Sequence, residues 1–93
     1  MDNIKFEKNK DRFLLFLDEK VVGQIEYTEK DNIIYMDHLM INSEFNIADA
    51  AKFLIESIVE EARKSNTHLK ANCPYAKILF SEHPEFNDVF LKD

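Results

Sequence analysis

The sequence predicts an α/β (α+β) fold: a mixed, mostly antiparallel sheet with two main helices. Three observations carry this. Residues 4–41 break into four apolar or alternating runs separated by polar turn residues. Ile47, Ala51, Leu54, Ile58 and Ala62 then recur at helical spacing. A further short strand pattern follows that helix, and a strand–helix–strand unit implies a parallel pair joined by a right-handed crossover.

Taken in order, Ile4-Lys5-Phe6 alternates and reads as a first strand, ended by the turn residues Asn9-Lys10-Asp11. Arg12–Leu17 is an apolar strand, and Asp18-Glu19-Lys20 turns it back into Val21–Tyr27, where Gly23 interrupts the run. Strict alternation there sets Val22 and Gln24 against Val21 and Ile25, so one face is expected to be buried. After Glu29-Lys30-Asp31-Asn32, the run Ile33–Ile41 places Ile33, Tyr35, Asp37, Leu39 and Ile41 on one face and Ile34, Met36, His38 and Met40 on the other. Both faces are largely apolar, which predicts a central strand covered on each side.

Asn46 is a natural N-cap for the long helix. Ala50, Ile55 and Val59 widen its apolar stripe, Asp49, Lys52, Glu56, Glu60 and Arg63 form the wet face, and Ser65-Asn66 ends it. His68–Asn72 is a short strand, Pro74 sits where a helix favours its first residue, and Tyr75–His83 forms the second helix. Pro84 stops it, leaving a Phe-rich tail over Glu85–Asp93.

All 93 residues are expected to form a single domain, 1–93, because a chain this size buries only roughly 60–65% of its unfolded surface and has no room for a second core. Hydrophobic residues at 45% place it among globular rather than disordered chains. Twelve Lys and Arg against eighteen Asp and Glu give a formal charge of −6. Nucleic acid and anionic membranes need clustered basic residues, so neither is an expected partner, whereas a cationic amine suits this balance. The start of the chain has no basic region followed by an apolar core, and no apolar run approaches the ~20 residues that span a bilayer. A cytoplasmic location is the default expectation. The single Cys73 makes no internal disulfide, and a thiol-redox role would need a resolving cysteine. No metal-ligand spacing, Ser/His/Asp order or phosphate-binding P-loop is present.

Four stretches carry a family resemblance: Gly23-Gln24-Ile25-Glu26-Tyr27; Met36-Asp37-His38; the helix Lys52–Arg63; and Ala71-Asn72-Cys73-Pro74-Tyr75-Ala76-Lys77 with His83-Pro84-Glu85-Phe86-Asn87-Asp88-Val89. Together they resemble the small, truncated members of the GNAT superfamily of N-acetyltransferases, over about residues 12–90. The resemblance implies a minimal acetyl-coenzyme A fold without the extra helices that cap the substrate side in larger relatives. It implies acetyl-CoA as cofactor and an amine, on a small molecule or a protein, as acceptor.

In that family a strand splays from its neighbour and offers backbone amides to the pantetheine arm; a turn patterned Arg/Gln-x-x-Gly-x-Gly/Ala then wraps the pyrophosphate at a helix start. Carried over, Leu39, Met40 and Ile41 supply the strand, and Asn46, Asp49, Ala51 and Lys52 occupy the turn. Ala51 is permitted there. Asn46 replaces the Arg/Gln and Asp49 replaces the first Gly, so a carboxylate stands where a pyrophosphate belongs. Lys52, one turn on, offsets part of that charge. Asp49 also has a structural account, since it complements the helix dipole from the first turn. Two functions follow: an N-acetyltransferase, or a non-catalytic interaction module whose anion site Asp49 fills.

Three residues are candidates for the chemistry, each with a structural alternative. Cys73, between a strand and a helix N-terminus, is a nucleophile or pocket-lining thiol, or else a small buried hydrophobe. His38 is a base for an incoming ammonium, or a histidine packed in the sheet. Tyr75 protonates the departing thiolate, as a tyrosine can in this superfamily, or serves aromatic packing. His68 and His83 are expected at the surface or at helix ends.

Overall fold

In the computed structural model, which describes residues 4–42 and 47–91, five strands and two helices follow one another in the expected order. They are β1 (Ile4–Lys8), β2 (Arg12–Leu17), β3 (Lys20–Lys30), β4 (Ile33–Ile41), α1 (Ile47–Ser65), β5 (His68–Ala71) and α2 (Pro74–Ser81), with a short 3₁₀ turn at Pro84–Phe86. The sheet order is β1-β2-β3-β4-β5, antiparallel except for β4 with β5. Among the described residues, no helix is long and apolar enough to cross a membrane.

The tight connections follow from residues that tolerate left-handed backbone. Asp31 (φ 55°) and Asn32 (φ 63°) form the two-residue loop between β3 and β4, the mirror-image turn whose twist matches paired strands. That turn needs only two residues, so β3 runs to Lys30 rather than stopping at Tyr27. Asn66 (φ 57°) closes α1, and the Thr67 amide reaches back to the Ala62 carbonyl, satisfying an otherwise unpaired helix end.

Two β-bulges interrupt the strict alternation read from the sequence. Leu15 pairs with Gly23 but Phe16 with Val21, so Val22 is an extra residue; Glu26 pairs with His38 but Tyr27 with Met36, so Asp37 is another. Each shifts the facing pattern by one position. Val22 and Ile25 are therefore buried on one face together, and in β4 Leu39 joins Ile34 and Met36. The expected division of β4 into two unbroken faces fails at Asp37.

Among the described residues, the sheet is also covered on one face only, not on both. Phe13, Leu15, Ile25, Ile34, Met36 and Leu69 join the buried stripe of α1 and the buried residues Ala76 and Phe80 of α2 in a single cluster. On the other face, Leu14, Phe16, Gln24 and Tyr35 are only half-buried, while Val21, His38 and Met40 are exposed. Two helices on a chain this short cover one layer.

Beyond the 3₁₀ turn, Phe90 pairs in parallel with Leu69 on the outer side of β5 and stacks on Phe80 at 4.2 Å. Arg63 fastens this tail to α1: its guanidinium donates to both Asp88 carboxylate oxygens (2.9 and 3.0 Å), to Glu60 (2.7 Å) and to the Glu85 carbonyl (3.3 Å).

Two outcomes are expected. A Cβ on Gly23 would lie 2.9 Å from Ile41 Cδ1 and 3.4 Å from Leu54 Cδ2. Gly23→Ala displaces only the tip of one side chain, whereas Gly23→Val overpacks the sheet–helix interface and should lose about 1–3 kcal/mol in urea denaturation. The hydrogen bond from Arg63 holds the Asp88 carboxyl below its ordinary value. A lowered folded pKa stabilises the protein above the unfolded value and loses that effect as pH falls through the folded one. The melting-temperature advantage of wild type over Asp88→Asn should therefore be full above about pH 4 and vanish at lower pH.

Candidate functional site: the divergence of β4 and β5

β4 is nine residues long and β5 only four. Their parallel pairing covers Ile33–Met36 against His68–Ala71 and stops there. The Asn72 and Cys73 amides both donate to the Met36 carbonyl, at 2.9 and 3.2 Å, after which Pro74 turns the chain into α2. From Asp37 to Ile41 no strand pairs with β4 on that side among the described residues.

The bulge decides which backbone groups face this gap. Before it, the Met36 carbonyl points toward β5; after it, the Asn42 amide donates to the Val22 carbonyl on the β3 side. Alternation along a strand then turns Met40 toward β3 as well, and turns the amides of Leu39 and Ile41 into the gap. Asp37 closes the narrow end of the opening. Its carboxylate accepts a hydrogen bond from Thr28 Oγ1 on β3 (2.7 Å) and another from Asn72 Nδ2 beyond β5 (2.8 Å). Elsewhere, on the β3–β4 pair, an open cleft of about 200 Å³ is lined by Val21, Val22, Gly23, Gln24, Met40, Ile41 and Asn42.

The sequence-predicted residues fall around this divergence, though not in one cluster. His38 follows the bulge and is exposed on the uncovered face, opposite Glu26. Cys73 caps the N-terminal end of α2 without a side-chain capping bond, and its thiol lies in the core cluster, 9% exposed. The two backbones meet at Met36 and Asp37, yet the side chains leave the sheet on different sides. Tyr75 is half-buried against the core. Ala51 is buried in α1, while Asp49 and Lys52 in its first turns are exposed. Asn46 lies outside the described residues. His68 is exposed, and His83 precedes the 3₁₀ turn with its Nδ1 3.2 Å from Glu85 Oε2.

Sequence reasoning placed Asp37 only as the neighbour of His38. Its link to Asn72 spans 35 positions and no local pattern reveals it.

The model of the GCN5-related N-acetyl-transferase family matches residues 12–89. The chain belongs to this family. The NMR solution structure of a GCN5-like protein from Staphylococcus aureus superposes with a TM-score of 0.79 at 26% identity, covering 100% of this chain and 93% of that one. No curated protein matches the chain. The match spans every strand from β2 onward, both helices and the whole divergence of this GCN5-related domain.

The burial of Cys73 gives a direct expectation. Its reaction with iodoacetamide in the native protein should be at least about tenfold slower than in urea, where the thiol is freed. Equal rates in the two conditions would show the thiol open to solvent in the folded chain.

Proposed function

We propose that this domain transfers an acetyl group from acetyl-CoA to an amine. The observation that carries the proposal is the gap beside Asp37–Ile41, where Leu39 and Ile41 present backbone groups that β5 leaves without a strand partner. A pantetheine arm is itself a chain of amides, and strand addition to an open sheet edge is the mode of binding such an edge favours. The bound cofactor would supply an activated thioester.

What the chain's own residues contribute follows from their positions. The amides of Leu39 and Ile41 are donors for a carbonyl in the gap, and donors fixed in advance stabilise the charge that develops there. His38, on the uncovered face beside the bulge, takes the proton of an arriving ammonium. Holding both substrates against one rigid strand supplies the advantage of proximity. Tyr75, in the first turn of α2, is the proton donor for the leaving thiolate, and Cys73 lines the buried side.

Asp49 bears on the alternative, an interaction module with a self-filled anion site. Two unit charges at ~4 Å repel by about 4 kcal/mol at an effective dielectric of 20, but by only about 1 kcal/mol in water. Asp49 is exposed, so the lower figure applies. It costs the cofactor about fivefold in affinity, which leaves binding intact.

Thermal denaturation with and without acetyl-CoA tests this. At a hundredfold excess over Kd the native state gains about 2.7 kcal/mol, and a domain of this size should melt roughly 10 °C or more higher. Asp49→Gly should bind about fivefold more tightly than wild type. No shift for wild type at millimolar cofactor, with a clear one for Asp49→Gly, would establish the module instead. Acetylation of a primary amine by wild type, reduced by His38→Ala at unchanged cofactor affinity, would establish the transferase.

A further inference from the structure

The Asp37 carboxylate sits at the apex of the divergence, and its two hydrogen bonds run to different elements. Thr28 Oγ1 donates to one oxygen from β3 at 2.7 Å, and Asn72 Nδ2 donates to the other from the segment after β5 at 2.8 Å. Asp37 is also the extra residue of the β4 bulge, so its peptide is released from the ordinary ladder and needs another anchor. All three side chains are solvent-exposed. Exposed bonds of this kind contribute little to global stability, and their effect is therefore local.

We propose that Asp37 is a positioning residue: its carboxylate clips β3, β4 and the post-β5 segment together where the strands part, and so fixes His38 on one side and Cys73 on the other. His38 is the next residue along β4, and its backbone direction is set by how the bulge is held. Asn72 immediately precedes Cys73, and the amides of both bond to the Met36 carbonyl one residue before Asp37. The clip thus closes a small loop of contacts around the apex: Met36 carbonyl to Asn72 amide along the backbone, Asn72 amide group to Asp37 through the side chains. The catalytic consequence rests on the acetyl-transfer proposal, whereas the clip itself does not.

The chemistry of the clip predicts which substitutions keep it. In Asp37→Asn, Oδ1 still accepts from Asn72 while Nδ2 donates to the Thr28 hydroxyl, so the tie survives without its charge. Asp37→Ala and Asn72→Ala remove it. Asn72→Asp sets two carboxylates against each other, and the exchanged pair Asp37→Asn with Asn72→Asp restores a donor facing an acceptor.

Two readouts test this on the whole chain. In amide hydrogen exchange followed by NMR, protection of the Asn72 and Cys73 amides should fall about tenfold in Asp37→Ala, Asn72→Ala and Asn72→Asp, and return in Asp37→Asn and in the exchanged pair, while melting temperatures stay close to wild type. In steady-state acetyl transfer, kcat should fall at least about tenfold in the same three variants with KM for acetyl-CoA within about threefold, and the two tie-preserving variants should recover it. Exchange that is unchanged in Asp37→Ala overturns the clip. Loss of kcat in Asp37→Asn equal to that in Asp37→Ala overturns the positioning role, since the charge rather than the tie would then be in use. A wild type without transferase activity refutes the acetyl-transfer proposal and leaves the exchange experiment to decide the clip.

Discussion

The structure depends on one mismatch: a nine-residue strand lies beside a four-residue parallel partner. Parallel pairing begins at Ile33 and His68 and ends at Met36 and Ala71, because Pro74 commits the chain to α2 almost at once. The rest of β4 still has β3 on its other side, so it stays a strand while one edge opens. The bulge at Asp37 coincides with the end of the pairing, and shifts which residues present their backbone to that edge. An unpaired edge is ordinarily a liability that invites aggregation. Here the opening is short, five residues from Asp37 to Ile41.

The outer edge of β5 is treated in the opposite way. Leu69 donates to the Val89 carbonyl, Leu91 donates to the Leu69 carbonyl, and Phe90 stacks over Phe80, so the tail covers that edge. Arg63 then locks the tail to α1 through Asp88, Glu60 and the Glu85 carbonyl. Its guanidinium is held charged far above its ordinary range by the Asp88 and Glu60 hydrogen bonds, which suits a permanent fastening. The same strand is thus closed on one side and released on the other.

Much of this was legible in the sequence, and the limits have physical causes. The strands Arg12–Leu17 and Ile33–Ile41 and the stripe of α1 follow from periods of two and 3.6, which apolar residues report directly. Bulges are different. A single extra residue inside an apolar run leaves composition untouched, so Val22 and Asp37 gave no sign that every later side chain would change face. The apolar character of Ile33 and Tyr35 suggested a strand covered on both faces, but neighbours within the sheet half-bury them without any second layer. The family resemblance set a splayed strand at Leu39–Ile41 and named His38 and Cys73 as candidates near it. It did not reveal that their side chains part to opposite sides, because that depends on the bulge between Met36 and His38.

On the acetyl-transfer proposal, the one-sided sheet has a further consequence. With the thioester lying in the gap and His38 on the uncovered face, acceptor and cofactor reach the apex from different directions and need not compete for one channel. Direct attack by the amine then requires no covalent intermediate on Cys73, whose thiol faces the core rather than the base. The cost of this geometry is exposure: among the described residues no helix covers the face from which the acceptor would arrive, so water has the same access. Electrostatic help from fixed donors weakens as the local dielectric rises. An acceptor that brings its own bulk, seated across the half-buried Leu14, Phe16 and Tyr35 and the exposed Met40, would exclude that water as it binds. On that proposal, bulk in the acceptor would do for this site what a covering helix does elsewhere, and keep the fixed donors of Leu39 and Ile41 effective.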